Sequence, residues 1–169
     1  KLYGAIEMTA VAYGYSMVTY MGQNYGAGRS DRIRKGYRSA ILIAIATGAV
    51  LGYGMILAGH AVTGAFLTGN SAEANQARQI AFHYLFIVCS TLPILYVLHV
   101  TRSALQGLGD TVMPMVSGVA EFAMRTFMAL VMTGVLGGVS IMYGEVVAWI
   151  GADLILAGAL IGRFKKLPA

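Results

Sequence analysis

Residues Gly22 to Arg38 read GQNYGAGRSDRIRKGYR. The stretch holds five basic residues, Arg29, Arg32, Arg34, Lys35 and Arg38, against one acid, Asp31. Long apolar runs flank it on both sides. A basic, glycine-marked hinge between two apolar helices has the composition of a cytoplasmic loop of a membrane protein. It fixes an orientation, and the orientation gives a meaning to every other charge.

The rest of the chain agrees with a bilayer. Apolar residues make up 57% and charged residues 11%, less than half the charged share of a soluble domain. A soluble chain this poor in charge has too little polar surface to cover its own core. The net charge of +5 is carried mostly at helix ends, with no basic face or reading motif, which argues against a nucleic-acid partner. The one cysteine, Cys89, lies in an apolar run. It excludes an internal disulfide and a cysteine-cluster metal site. The chain opens at Lys1 directly in hydrophobic sequence, without a signal-peptide pattern, and reads as a piece whose natural start lies upstream.

A membrane span takes about 20 apolar residues. Five segments qualify, at about 2–21, 39–60, 80–101, 114–134 and 141–162, so the expected fold is all-α, a polytopic transmembrane helix bundle. The junctions alternate in charge. Gly22–Arg38 is basic, Thr68–Gln79 has no net charge, Gln106–Met113 follows Arg102, Val135–Ser140 is uncharged, and the tail carries Arg163, Lys165 and Lys166. The first and third junctions and the tail are therefore expected in the cytoplasm. Asp110 and Thr111 can cap the helix that Pro114 opens. Pro93, inside the third span, predicts a kink. Small-residue pairs Gly48/Gly52, Gly134/Gly138 and Gly158/Gly162 allow close helix packing. The two basic-side hinges also echo one another, as Gly26-Ala-Gly28 and Gly107-Leu-Gly109.

Charges at membrane depth are costly and face a partner or a cavity. At 1.5 Å per residue, Arg125 lies about 16 Å and Asp153 about 14 Å from the same end, which predicts an ion pair between consecutive helices. Glu121, one turn from Arg125, makes this a triad. The triad either clamps two helices or binds a coupling ion, H+ or Na+, with Asp153 the first candidate carboxylate. Glu7 is the second, because its span has no opposite charge. Glu145, Trp149 and Asp153 form one stripe, with Glu145 expected near the outer interface and Trp149 in the packing. His60, His83 and His99 lack a metal-ligand spacing. Tyr13, Tyr15, Ser16, Thr19 and Tyr20 are candidate cavity-lining residues.

No phosphate loop, dinucleotide fingerprint, HExxH or GxSxG is present, and nothing supports an enzyme or a cofactor. The hinge does resemble the loop after the second helix of the C-terminal half in the multidrug and toxic compound extrusion (MATE) transporters. Leu105–Arg125, LQGLGDTVMPMVSGVAEFAMR, resembles that family's next cytoplasmic loop and following helix. Glu145–Asp153, EVVAWIGAD, is similar to the last helix of many bacterial members. The resemblance implies a twelve-helix transporter of two six-helix lobes, with this chain as a partial C-terminal lobe, helices eight to twelve, completed by an N-terminal lobe. It also implies a bacterial inner membrane location, cytoplasmic termini, and export of small cationic amphipathic substrates in exchange for H+ or Na+. One branch of the family places an acid about ten residues before the LQG-type motif. Leu95 stands there in this chain, beside Tyr96. A lipid-linked oligosaccharide flippase of the same superfamily and a non-transporting membrane scaffold remain as alternatives.

Overall fold

The computed structural model describes residues 2–66 and 71–168. Seven α-helices and one π turn follow in order: α1 Leu2–Gly26, α2 Ser30–Phe66, α3 Ala72–Ser90, α4 Leu92–Gly107, α5 Val112–Phe127, the π turn Met128–Met132, α6 Thr133–Leu136 and α7 Val139–Lys166. No strand occurs among the described residues. The all-helical bundle expected from the sequence is what forms.

The helices overrun the apolar segments at their polar ends. The hinge is only residues 27–29, and Arg32 to Arg38 lie on the first turns of α2. Residues 163–166 likewise belong to α7 rather than to a tail. A helix keeps its own backbone hydrogen bonds when it leaves the hydrocarbon, so apolarity marks its buried length and not its ends. Of the expected second loop, residues 68–70 lie outside the described residues, and Ala72–Gln79 is helical, capped by the Ser71 hydroxyl accepting from Ala74 N–H at 3.1 Å.

Three helical stretches are long and apolar enough to cross a membrane: Ser30–Gly64, Val112–Leu136 and Val139–Lys166. The α3–α4 pair, bent by 47°, is a fourth if it counts as one span. The 25 residues of α1 are long enough, but Glu7, Thr9, Ser16, Thr19 and five tyrosines dilute their apolarity. By length and composition alone, the described residues thus hold three such helices, or four with the bent pair.

Both basic-side hinges turn in the same way. The N–H of Arg29 donates to Asn24 O at 2.9 Å, and that of Asp110 to Leu105 O at 2.9 Å. Gly28 and Gly109 sit between them at φ 66° and 78°, the left-handed residue that ends a helix in this motif. Asp110 Oδ1 then accepts from Met113 N–H at 3.1 Å and starts α5. At this same basic end Arg34 donates to Phe164 O at 2.8 Å, and Arg163 donates to Leu108 O. The end of α7 is thus tied to the start of α2 and to the second hinge.

α4 is the central helix. Leu92, Leu95, Tyr96, Leu98, Val100, Thr101, Ala104 and Leu105 are all buried, and α1, α2 and α7 pack around it. α5 leans mainly on α7 and buries only a stripe, Pro114, Ser117 and Glu121. Leu42, Val50, Leu57, Val119, Phe122, Leu130 and Leu154 are exposed around the outside, as the lipid face of a membrane bundle requires.

The bend falls at Thr91, whose hydroxyl donates to Ile87 O at 2.9 Å. Pro93 has no N–H for the Cys89 carbonyl four residues back, and that carbonyl lies against Gly52 of α2. Gly48 meets the Pro93 backbone in the same crossing. The Gly48/Gly52 pair therefore seats α2 in the bend. Gly134, Gly138, Gly158 and Gly162 have nothing within 4 Å of a Cβ position, so those two pairs make no contact here. Gly52→Ala is expected to lower stability by about 1–3 kcal/mol through overpacking. Gly158→Ala, with open space around it, should be neutral or slightly stabilising. Thermal unfolding of the two variants in detergent, with no difference between them, would count against this packing.

Candidate functional site

The charges expected inside the membrane do meet, but not in the expected pairs. Glu121 of α5 is buried and accepts from two guanidinium groups. Arg102, on α4, reaches Glu121 Oε1 and also donates to Ser117 Oγ at 3.1 Å. The Ser117 hydroxyl in turn donates to Pro114 O at 2.8 Å. Arg125 lies 3.3 Å from Glu121 Oε2 and 2.9 Å from Glu145 Oε2 on α7. A chain of alternating charge, Arg102–Glu121–Arg125–Glu145, thus joins α4, α5 and α7.

The expected Arg125–Asp153 pair is absent, and Glu145 takes its place. Packing register explains why both were within reach. Met124 lies over Gly151, and Met128 against Gly144, so Arg125 comes opposite about residues 148–149, one turn from Glu145 and one turn from Asp153. Counting depth from the helix ends resolves no better than one turn, and one turn decides the partner. Glu145, expected near the outer interface, is instead held by Arg125 in the network. Trp149, between the two acids, is fully buried in packing.

Asp153 is half-buried. Its Oδ1 is shielded from solvent and has no hydrogen-bond partner among the described residues. The charges that act on it are those of Arg102 and Glu121, and Tyr37 of α2 lies within its electrostatic range. Glu7 approaches from α1, half-buried, within electrostatic range of Glu145, Arg125 and Glu121. Tyr84 of α3 lies within electrostatic range of Glu145 and Arg125. All four residues singled out from the sequence, Glu7, Glu121, Arg125 and Asp153, therefore converge on one region. The sequence reading missed Arg102, which it placed at a junction, and the true setting of Glu145. Arg102 and Glu121 each stand two to three turns from the Gly109 hinge. Folding the chain about that glycine brings them to one end of the bundle but leaves them about a turn and a half out of level.

A second, uncharged network lies beside the first. Tyr13 and Thr47 hydroxyls are 2.8 Å apart, Tyr96 bonds Thr9, and the Tyr13 and Tyr96 rings meet edge-on at 5.7 Å. Leu95, where one branch of MATE transporters carries an acid, is buried. Of the expected cavity-lining residues, Tyr13, Ser16 and Tyr20 line a groove between α1 and α2, whereas Tyr15 is 73% exposed. His60 stacks on Phe82 with centroids 4.0 Å apart.

The MatE family matches residues 2–131, more than half of the chain. The chain belongs to the MatE family. MatE proteins are transporters, not enzymes, and the apolar helices make this a membrane protein. No curated protein and no solved structure matches significantly. The matched part of this MatE chain holds Glu7, Arg102, Glu121 and Arg125. Glu145 and Asp153 lie beyond it, so the network joins the matched segment to α7.

Proposed function

We propose that this chain serves in secondary antiport, exporting small cationic amphipathic compounds in exchange for H+ or Na+. One observation carries the reading. The region around the network holds four carboxylates, Glu7, Glu121, Glu145 and Asp153, against two guanidinium groups, Arg102 and Arg125. Glu121 and Glu145 are ion-paired, whereas Glu7 and Asp153 make no ion pair among the described residues. Two uncompensated negative charges at membrane depth are costly, and a coupling cation at each removes the cost. Ion binding at Asp153 or Glu7 would change the relative stability of two transporter states, and drug binding would favour the opposite condition.

In this reading the basic end faces the cytoplasm of a bacterial plasma membrane, and the chain works as the partial C-terminal lobe of a twelve-helix protein, against an N-terminal lobe. Its partners are the bilayer, that lobe and the exported cation, with H+ or Na+ as the coupling ion and no cofactor. The negative excess of the network also disfavours a flippase for lipid-linked oligosaccharides, whose phosphates call for cations. The test is ethidium efflux from vesicles holding the full-length transporter, under an imposed pH or Na+ gradient. Glu7→Gln and Asp153→Asn are each expected to slow gradient-driven efflux. Unchanged efflux in both variants would sink the ion role, and an absence of any ethidium movement by the unaltered protein would sink the export reading.

A further inference from the structure

A groove of about 510 Å³ runs between α1 and α2, outside the charge network. Lys35, Tyr20 and Ser39 line its basic end, and Met17, Ala40 and Ile43 line the deeper part. Tyr20 holds the groove open. Its ring lies on Gly36, where a side chain would leave it no room, and its hydroxyl donates to Arg32 O at 3.1 Å. Along their lengths α1 and α2 each pack more extensively on α4 than on one another.

The chemistry of the groove changes along its length. From Lys35 to Ile43 it climbs about 12 Å of helix. Arg32, Lys35, Ser39 and Ile43 fall on one stripe of α2, at helical spacings of three and four. Asp31, the acid of this stretch, stands one turn before Lys35 on the same side of the helix, but it does not line the groove. Arg34 is engaged with Phe164, but Arg32 and Lys35 make no ion pair among the described residues. Farther along α2, exposed Leu42, Ile43, Val50 and Leu57 mark a face turned to hydrocarbon. An occupant must therefore be negative at the basic end and apolar beyond it. A cationic drug fits poorly, because it would meet Lys35 and no carboxylate in the lining.

We infer that this groove is a lipid site. It takes one acyl chain of an anionic membrane phospholipid, with the headgroup phosphate at Arg32 and Lys35 and the chain running past Met17 and Ala40 to Ile43. One basic residue beside a bound headgroup is taken to favour the anionic lipid by about fivefold, the scale of a single charge at a membrane surface. The site is independent of the antiport reading, since it needs only a bilayer around the bundle.

The experiment is native mass spectrometry of the full-length protein released from vesicles of equal phosphatidylglycerol and phosphatidylcholine. The unaltered protein is expected to retain phosphatidylglycerol in preference. Lys35→Gln should reduce that preference about fivefold, and Lys165→Gln, a basic residue away from the groove, should leave it unchanged. Ala40→Phe, which fills the groove, should reduce retention of both lipids. If Ala40→Phe does not fold, the two lysine variants decide the matter alone. Equal effects of Lys35→Gln and Lys165→Gln would reduce the site to general surface charge and overturn the proposal. So would no preference at all, or a cross-link from Ala40→Cys to a segment of the chain outside residues 2–168.

Discussion

Glu121→Ala will destabilise the bundle by about 3 kcal/mol, the low end of what breaking a buried ion pair costs. Glu121 is the one carboxylate in the network that touches two guanidinium groups, and its side chain is 10% exposed. Without it Arg125 keeps Glu145, but Arg102 keeps only the Ser117 hydroxyl. An unpaired cation then remains between α4 and α5. Arg102 is 22% exposed, so water screens part of the penalty, which is why the low end applies. The melting midpoint in detergent measures the loss. The double variant Arg102→Met with Glu121→Leu should recover most of it, because apolar side chains of similar size replace a buried pair at little cost. If the double variant is as unstable as the single one, the penalty does not come from a stranded Arg102.

Much of this arrangement was legible beforehand, for identifiable reasons. The hinges were legible because Gly28 and Gly109 must sit at positive φ, and few other residues do so at low cost. The bend was legible in Pro93, which removes one helical hydrogen bond whatever its surroundings. Glu7, Glu121, Arg125 and Asp153 stood out because a charge among apolar residues needs an explanation wherever it lands. The pairing was not legible. Arg125 is one turn from two different acids, and the choice between them depends on where Met124 and Met128 seat on the glycines of α7. Nor was Arg102, since a charge close to a hinge looks solvated until α5 folds back over it. The glycine pairs show the same limit. Gly48/Gly52 and Gly158/Gly162 share a spacing, yet only the first meets a neighbour.

Asp153→Asn separates a coupling role from a structural one. The exchange keeps the shape of the side chain and removes the ability to hold a proton or Na+ as a carboxylate. Asp153 has a shielded oxygen without a hydrogen-bond partner and no ion pair among the described residues, so the change strands no arginine. Little stability should be lost, and the melting midpoint should stay near that of the unaltered protein, unlike that of Glu121→Ala. Coupling free energies between two ligands run at about 1–3 kcal/mol, or 5- to 150-fold. Gradient-driven ethidium efflux should therefore fall by on the order of tenfold, while ethidium binding at equilibrium without a gradient persists. The reciprocal experiment is release of the coupling ion on adding drug, which should weaken as well, since linkage makes the coupling between the two bound ligands mutual. Efflux and ion release that both survive in Asp153→Asn would leave Glu7 as the remaining coupling carboxylate. If Glu7→Gln is equally silent, the four acids and two arginines serve to hold α1, α4, α5 and α7 together and nothing more.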